Sequence, residues 1–177
     1  NVRGNKTVIE HPARNFEEAI SNILRLLVSE EYNVISDYSE ISAIGHRIVH
    51  GGEKFKNSVI ITDDVIEEIE KQVTLAPLHN PAGLAGINAC KKLLPQTPMV
   101  AVFDTSFHQT MEEKMYIYQL PYKYYEDYKI RKYGFHGISH RYVAGRIAEI
   151  AGTDKIKVIN CHLGQGASLC AIENGKS

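Results

Sequence analysis

Tryptophan is absent from the 177-residue sequence, and cysteine occurs only three times, at Cys90, Cys161 and Cys170. The thiols are scattered and form no CxxC, which excludes a disulfide framework and a clustered thiolate metal site. Reduced thiols in a cytoplasmic protein are the expectation. Charge of one sign is also missing: 20 Lys and Arg stand against 21 Asp and Glu, for a net charge of −1 with neutral histidines. Without a basic field to hold a phosphate backbone, a dedicated nucleic-acid binder is not expected. No apolar run approaches the roughly 20 residues of a membrane helix, so no membrane partner is expected either. The opening Asn1-Val2-Arg3-Gly4-Asn5-Lys6 lacks the apolar core of a signal peptide. There is no GxxxxGK[ST] loop, no GxGxxG opening a helix, and no internal repeat.

What is present is an alternation of strands and capped helices. Asn15 and Glu18 form a capping-box pattern ahead of a stripe of Phe16, Ile20, Ile23 and Leu27. Residues 42–50 read as a buried strand running into Gly51-Gly52, and 59–61 as a short one. Thr62 caps a helix faced by Val65, Ile69 and Val73 and ended by Pro77. Asn80-Pro81 opens a third helix, with Leu84, Ile87 and Leu94 on it. Residues 99–103 are purely apolar, the pattern of a strand covered on both faces. The tyrosine-rich stretch 116–133 reads as loops and short helical turns. Ser139 is expected to cap a helix with Val143, Ile147 and Ile150 on one side, ended by Gly152. Strands at 158–163 and 168–172 flank Gly164-Gln165-Gly166 and predict an antiparallel hairpin. The whole implies an α/β fold with a mostly parallel sheet.

Asn174-Gly175 signals a further two-residue hairpin turn. With Asn1 rather than Met at the start, the expectation is a piece of a longer protein. On that reading 1–151 form one domain, incomplete at its start, and 152–177 open a second.

Reactive residues cluster just past the predicted strands, where open α/β sheets collect ligands. Arg47 is permanently charged and suited to gripping a carboxylate or phosphate, but costly in an apolar strand without a partner. Asp104 lies between apolar residues, fit either to position reacting groups or to cap the next helix with Thr105 and Ser106. The 162–168 segment, His-Leu-Gly-Gln-Gly-Ala-Ser, offers a glycine turn whose N–H groups can nest phosphate oxygens, with Ser168 adding a hydroxyl. His136 and His140 have zinc-like i, i+4 spacing, yet Gly137 stands where a zincin carries its glutamate, and the zinc reading is rejected. His46 and His50 lie on a strand about 13 Å apart and cannot share a metal. His79 sits in a rigid turn between two helices.

Five strings, in this order, resemble the acetokinase family. They are Gly-His-Arg-Ile-Val-His-Gly-Gly-Glu-Lys-Phe at 45–55, Leu-Ala-Pro-Leu-His-Asn-Pro at 75–81 and Val-Phe-Asp-Thr-Ser-Phe-His-Gln-Thr-Met at 102–111. Arg-Lys-Tyr-Gly-Phe-His-Gly-Ile-Ser-His at 131–140 and His-Leu-Gly-Gln-Gly-Ala-Ser at 162–168 complete the set. The resemblance implies the actin-like fold of sugar kinases and heat-shock ATPases, also described as ribonuclease H-like, and a homodimer. It implies phosphoryl transfer from ATP to acetate, with Mg²⁺. It further implies that Arg47 binds the acetate carboxylate and the reacting phosphate, that Asp104 is the essential aspartate and that His136 stabilises the transition state. His79 would line the acyl pocket, Val49, Leu78 and Phe135 would hold the methyl group, and His162, Leu163, Gly164, Gln165 and Gly166 would face the ATP phosphates.

The family's opening Asn-x-Gly-Ser-Ser-Ser-x-Lys loop has no counterpart in the sequence. The adenosine pocket, a second arginine and a glutamate metal ligand would lie beyond Ser177, so no metal ligand is expected within these residues and the piece alone is expected to be inactive. Two alternatives stand beside acetate kinase activity. One is a propionate or butyrate kinase, the other a non-catalytic actin-fold module that binds nucleotide.

Overall fold

The computed structural model describes residues 8–177. Helix α1 (Phe16–Leu27) is capped by Asn15, whose side chain accepts from the Glu18 N–H at 2.9 Å. The reciprocal half of the capping box is displaced by one residue, because the Glu18 carboxylate accepts from the Arg14 N–H instead. The helix buries Leu24, while Phe16 and Ile23 of the expected stripe stand exposed.

Strand β1 (Ile44–Ile48) pairs in parallel with β3 (Met99–Phe103), from Ile44 opposite Met99 to Ile48 opposite Phe103. Between them run α2 (Asp63–Lys71) and α3 (Asn80–Leu93), the long crossover a parallel pair requires. Strand β2 (Val59–Ile60) lies antiparallel on the other edge of β3. The sheet, of order β1-β3-β2, is therefore mixed rather than mostly parallel. Apolar periodicity carries no information on strand direction, so this feature was invisible in the pattern.

One core gathers Ile48, Phe55, Ile69, Leu84, Ile87, Cys90, Met99, Ala101 and Phe103 around this sheet. Phe55 and Phe103 stack with centroids 4.3 Å apart. Asn80, fully buried, ties α3 to the end of β1: its Oδ1 accepts from the His50 N–H, and its Nδ2 donates to the His50 carbonyl. A buried amide that satisfies both backbone groups of one residue fixes the chain direction past β1.

Past β3 come a 3₁₀ turn (Ser106–Thr110) and two short helices, α4 (Glu113–Tyr116) and α5 (Lys123–Tyr128). Helix α6 (Gly137–Ala151) follows and is ended by Gly152 in the left-handed region. It begins three residues earlier than expected, so Ser139 lies inside its first turn and His136 precedes it with φ +56°. The hairpin of β4 (Lys157–Leu163) and β5 (Ala167–Glu173) is antiparallel, with His162 opposite Ser168. A second core of Phe107, Ala144, Cys170 and Ile172 seats this hairpin against α6. Asn174 and Gly175 both take positive φ, as a two-residue primed turn demands, and Glu173 bridges Lys176.

Candidate active site

Because β1 and β3 are parallel, their carboxyl ends meet at one edge. Arg47, near the end of β1, reaches Asp104, the first residue past β3. The guanidinium donates from Nε to Asp104 Oδ1 at 3.2 Å and from Nη2 to Oδ2 at 2.6 Å. The Asp104 side chain is 2% exposed and that of Arg47 is 61% exposed. The pairing answers both sequence-level questions: Arg47 has its partner, and Asp104 is not a helix cap. The Asp104 hydrogen bond holds the Arg47 guanidinium even more firmly in its charged form. Nη1 and one Nη2 hydrogen take no part in the fork and stay free for a second anion.

The Asp104 backbone is held as tightly as its side chain. Its N–H donates to the Ile48 carbonyl at 3.0 Å, and its own carbonyl accepts from the Gly137 N–H at 2.9 Å. That contact docks the start of α6 on the end of β3. A Cβ at Gly137 would stand 2.2 Å from the Asp104 carbonyl oxygen, so only glycine permits the approach. Ile138 and Ser139, in the first turn of α6, line the same cleft, where the helix's positive end favours anions.

The cleft measures about 1130 Å³. It is lined by Arg47, Asp104, His136, His162, Gln165 and Gly166, and also by Val49, Leu78, His79 and Phe135. Leu78 is 86% exposed and Val49 is half-buried. His79 precedes α3 and gives it no side-chain cap. Leu163 is exposed and Gly164 forms the bend; neither lines the cleft. Within the bend the Gly164 N–H donates to the Gly166 carbonyl at 3.1 Å and is spent inside the turn.

The rings of His136 and His162 stack with centroids 4.2 Å apart. A Cβ at Gly166 would approach His136 Nε2 to 3.4 Å, so the second glycine brings the turn against that nitrogen. His136 Nδ1 lies 2.8 Å from Ser168 Oγ, and His140 Nε2 reaches the same oxygen at 2.8 Å. Ser168 is thus occupied by two histidines and not aimed at a phosphate, as its place in the glycine segment suggested. Burial first, then the neighbouring His162, keeps the His136 ring below the usual histidine range. Among the described residues no group of three His, Cys, Asp or Glu side chains is placed to hold a metal, and no helix is long and apolar enough to cross a membrane.

The model of the acetokinase family matches residues 1–177. The chain belongs to that family. It is 58% identical over 178 residues to the acetate kinase of Clostridium botulinum (strain 657 / Type Ba4), covering 99% of this chain and 45% of the relative. Identity to the acetate kinase of Clostridium acetobutylicum is 56%, with coverage of 99% and 44%. The chain therefore spans less than half the length of the curated relatives it matches. Among solved structures, Porphyromonas gingivalis acetate kinase superposes with TM-score 0.90 at 51% identity, over 98% of this chain and 44% of that one. A propionate kinase from Francisella tularensis gives TM-score 0.84 at 44% identity, over 90% and 40%. The fold is accordingly the α/β, actin-like fold of the acetokinase family.

Sequence reasoning missed several supporting residues. Thr105 Oγ1 accepts from the Gly51 N–H at 3.0 Å, Asn80 pins His50, and Ser139 Oγ lies 2.9 Å from His162 Nδ1. Each acts across more than 20 residues of chain, beyond the reach of local patterns. The one available signal was burial: a polar side chain inside a folded chain has a partner.

Proposed function

We propose that the whole protein is an acetate kinase. A carboxylate oxygen of acetate attacks the γ-phosphorus of ATP in line, the bond to the β,γ-bridging oxygen breaks, and acetyl phosphate and ADP leave. The observation that carries the reading is the Arg47–Asp104 fork set beside His136 and the glycine turn in one cleft. Phosphoryl transfer needs placement and positive charge around the transferred oxygens and little covalent chemistry.

Asp104 fixes the plane of the Arg47 guanidinium, and the free N–H groups of Arg47 hold the acetate carboxylate and the reacting phosphate. His136 adds a donor on the side of Gly166. Val49, Leu78, Phe135 and His79 receive the acyl group, and His162, Leu163, Gly164, Gln165 and Gly166, the end of β4 and its turn, follow the ATP phosphates. Residues 1–151 belong to the acyl-kinase domain in this reading, and 152–177 open the nucleotide domain. Cytoplasmic placement and a homodimer belong to the same proposal, supported by family membership.

Mg²⁺ accompanies ATP in such chemistry, neutralising phosphate charge. Among the described residues Asp104 is the one carboxylate lining the cleft, and both its oxygens accept from Arg47. No step above depends on these residues as metal ligands.

The exposed Leu78 favours a second reading, a preference for propionate, because an open apolar wall discriminates weakly between acids one methylene apart, by about 1–3 kcal/mol. Hydroxylamine trapping of acyl phosphate, with the whole protein, ATP and acetate, propionate or butyrate, tests both. Highest kcat/KM with acetate is expected. A maximum with propionate favours the second reading. No acyl phosphate from any acid overturns the proposal in favour of a non-catalytic nucleotide-binding module.

A further inference from the structure

The cleft histidine is one end of a chain of polar contacts that leaves the cleft. Asn160, buried on β4, presents its amide nitrogen to His140 Nδ1 at 2.8 Å. An amide NH₂ only donates, so His140 Nδ1 accepts and the His140 proton sits on Nε2. That Nε2–H lies 2.8 Å from Ser168 Oγ and donates to it. The serine's own hydrogen is then left for its other neighbour, His136 Nδ1, also at 2.8 Å. With Nδ1 accepting, a neutral His136 carries its proton on Nε2, the nitrogen that stands against Gly166. His140 is fully buried on α6, and Ser168 lies opposite His162 in the hairpin, so both middle members of the relay are held by the fold.

We propose that Asn160, His140 and Ser168 are positioning residues that fix His136 in its Nε2–H tautomer, so that it presents a hydrogen-bond donor to the transferring phosphoryl group. The inference deepens the acyl-kinase reading and rests on it for the identity of the group that receives the donor. Which nitrogen of a histidine carries the proton is set by what the other nitrogen meets. Here that partner is a serine hydroxyl whose direction is dictated by an amide two contacts away. Both histidines sit below their usual range through burial, which keeps the rings neutral and makes a tautomer meaningful. The relay also accounts for the histidine pair at i, i+4 without any metal. His136 and His140 meet on one serine oxygen.

The test has a spectroscopic arm and a kinetic arm on the whole protein. Histidine is labelled with ¹⁵N, and His136 is assigned by its loss in His136→Gln. The expected spectrum shows Nδ1 unprotonated and Nε2 protonated. Ser168→Ala is expected to abolish that single tautomer and to lower kcat with little change in KM, by about 10–100-fold if the loss matches that of partners orienting metal-bound histidines. Ser168→Thr, which keeps the hydroxyl, restores both. A wild-type His136 protonated on Nδ1 overturns the proposal. So does a folded Ser168→Ala that keeps the tautomer, whatever its turnover, and so does a folded Ser168→Thr that restores neither. If the wild type forms no acyl phosphate, the acyl-kinase reading fails, while the spectrum still decides the tautomer.

Discussion

Arg47 grips both carboxylate oxygens of Asp104 across the ends of two parallel strands, and the two side chains differ sharply in exposure, 61% against 2%. The buried partner needs the exposed one: every side-chain hydrogen bond of Asp104 goes to Arg47. Truncating Arg47 therefore strands a buried carboxylate, at a cost of about 1–3 kcal/mol. Arg47→Ala is expected to lower the denaturant midpoint, and adding Asp104→Asn is expected to recover part of the loss. Equal stability of Arg47→Ala and wild type would mean that the pair adds nothing to the fold.

Asp104→Asn alone keeps the shape and removes the charge, and it sets an amide NH₂ toward Arg47. The guanidinium loses its fixed plane, a loss felt mainly in the transition state. In the whole protein kcat is expected to fall while the KM for acetate changes little. A raised KM at unchanged kcat would assign Asp104 to ground-state binding.

Gly137 and Gly145 lie on the same helix and make opposite predictions. A Cβ at Gly137 meets the Asp104 carbonyl at 2.2 Å, whereas one at Gly145 meets nothing within 4 Å. Gly137→Ala must push α6 off β3 and is expected to destabilise by about 1–3 kcal/mol. Gly145→Ala is expected to stabilise by roughly 0.5–1 kcal/mol through helix propensity. Thermal melts of both decide, and a neutral Gly137→Ala would contradict the docking contact.

His50 gives a pH dependence. Burial, reinforced by nearby Arg131, lowers its pKa to about 4, and its Nδ1 accepts from the Gly52 N–H at 3.0 Å, a bond only the unprotonated nitrogen can accept. The unfolded chain binds a proton near pH 6.5 and the folded chain near 4, so the contribution is full above 6.5 and is lost as pH falls toward 4. Stability is expected to drop by roughly 3 kcal/mol over that window from this group. Burial shifts His46, His108, His136 and His140 in the same direction. Denaturation midpoints at pH 7 and pH 4 should differ less in His50→Gln than in wild type. An unchanged difference would show that His50 does not titrate with folding.

Much of this arrangement was legible in the residue order. Thr62 and Asn15 cap the helices their positions announce, and the pure apolar run of 99–103 is a central strand. The five family strings led to Arg47, Asp104 and His136, which the fold brings to one cleft. What was not legible depends on pairing across the chain. The direction of β2 follows from its neighbour and not from Val59 and Ile60. The start of α6 at Gly137 follows from the Asp104 carbonyl it docks on, which overrode Ser139 as a cap. Ser168 read as a phosphate hydroxyl because it follows a glycine turn, and only its register opposite His162 turns it toward two histidines.

The most direct test of the account is the rate at which folded Arg47→Ala, in the whole protein, forms acetyl phosphate from ATP and acetate. Removing a preorganised cation from the place where transition-state charge gathers costs about 10²–10³ in kcat. A loss of that size, with circular dichroism showing a folded protein, is the predicted result. Near wild-type turnover by the folded variant would contradict the central claim that Arg47, held by Asp104, carries the phosphoryl transfer.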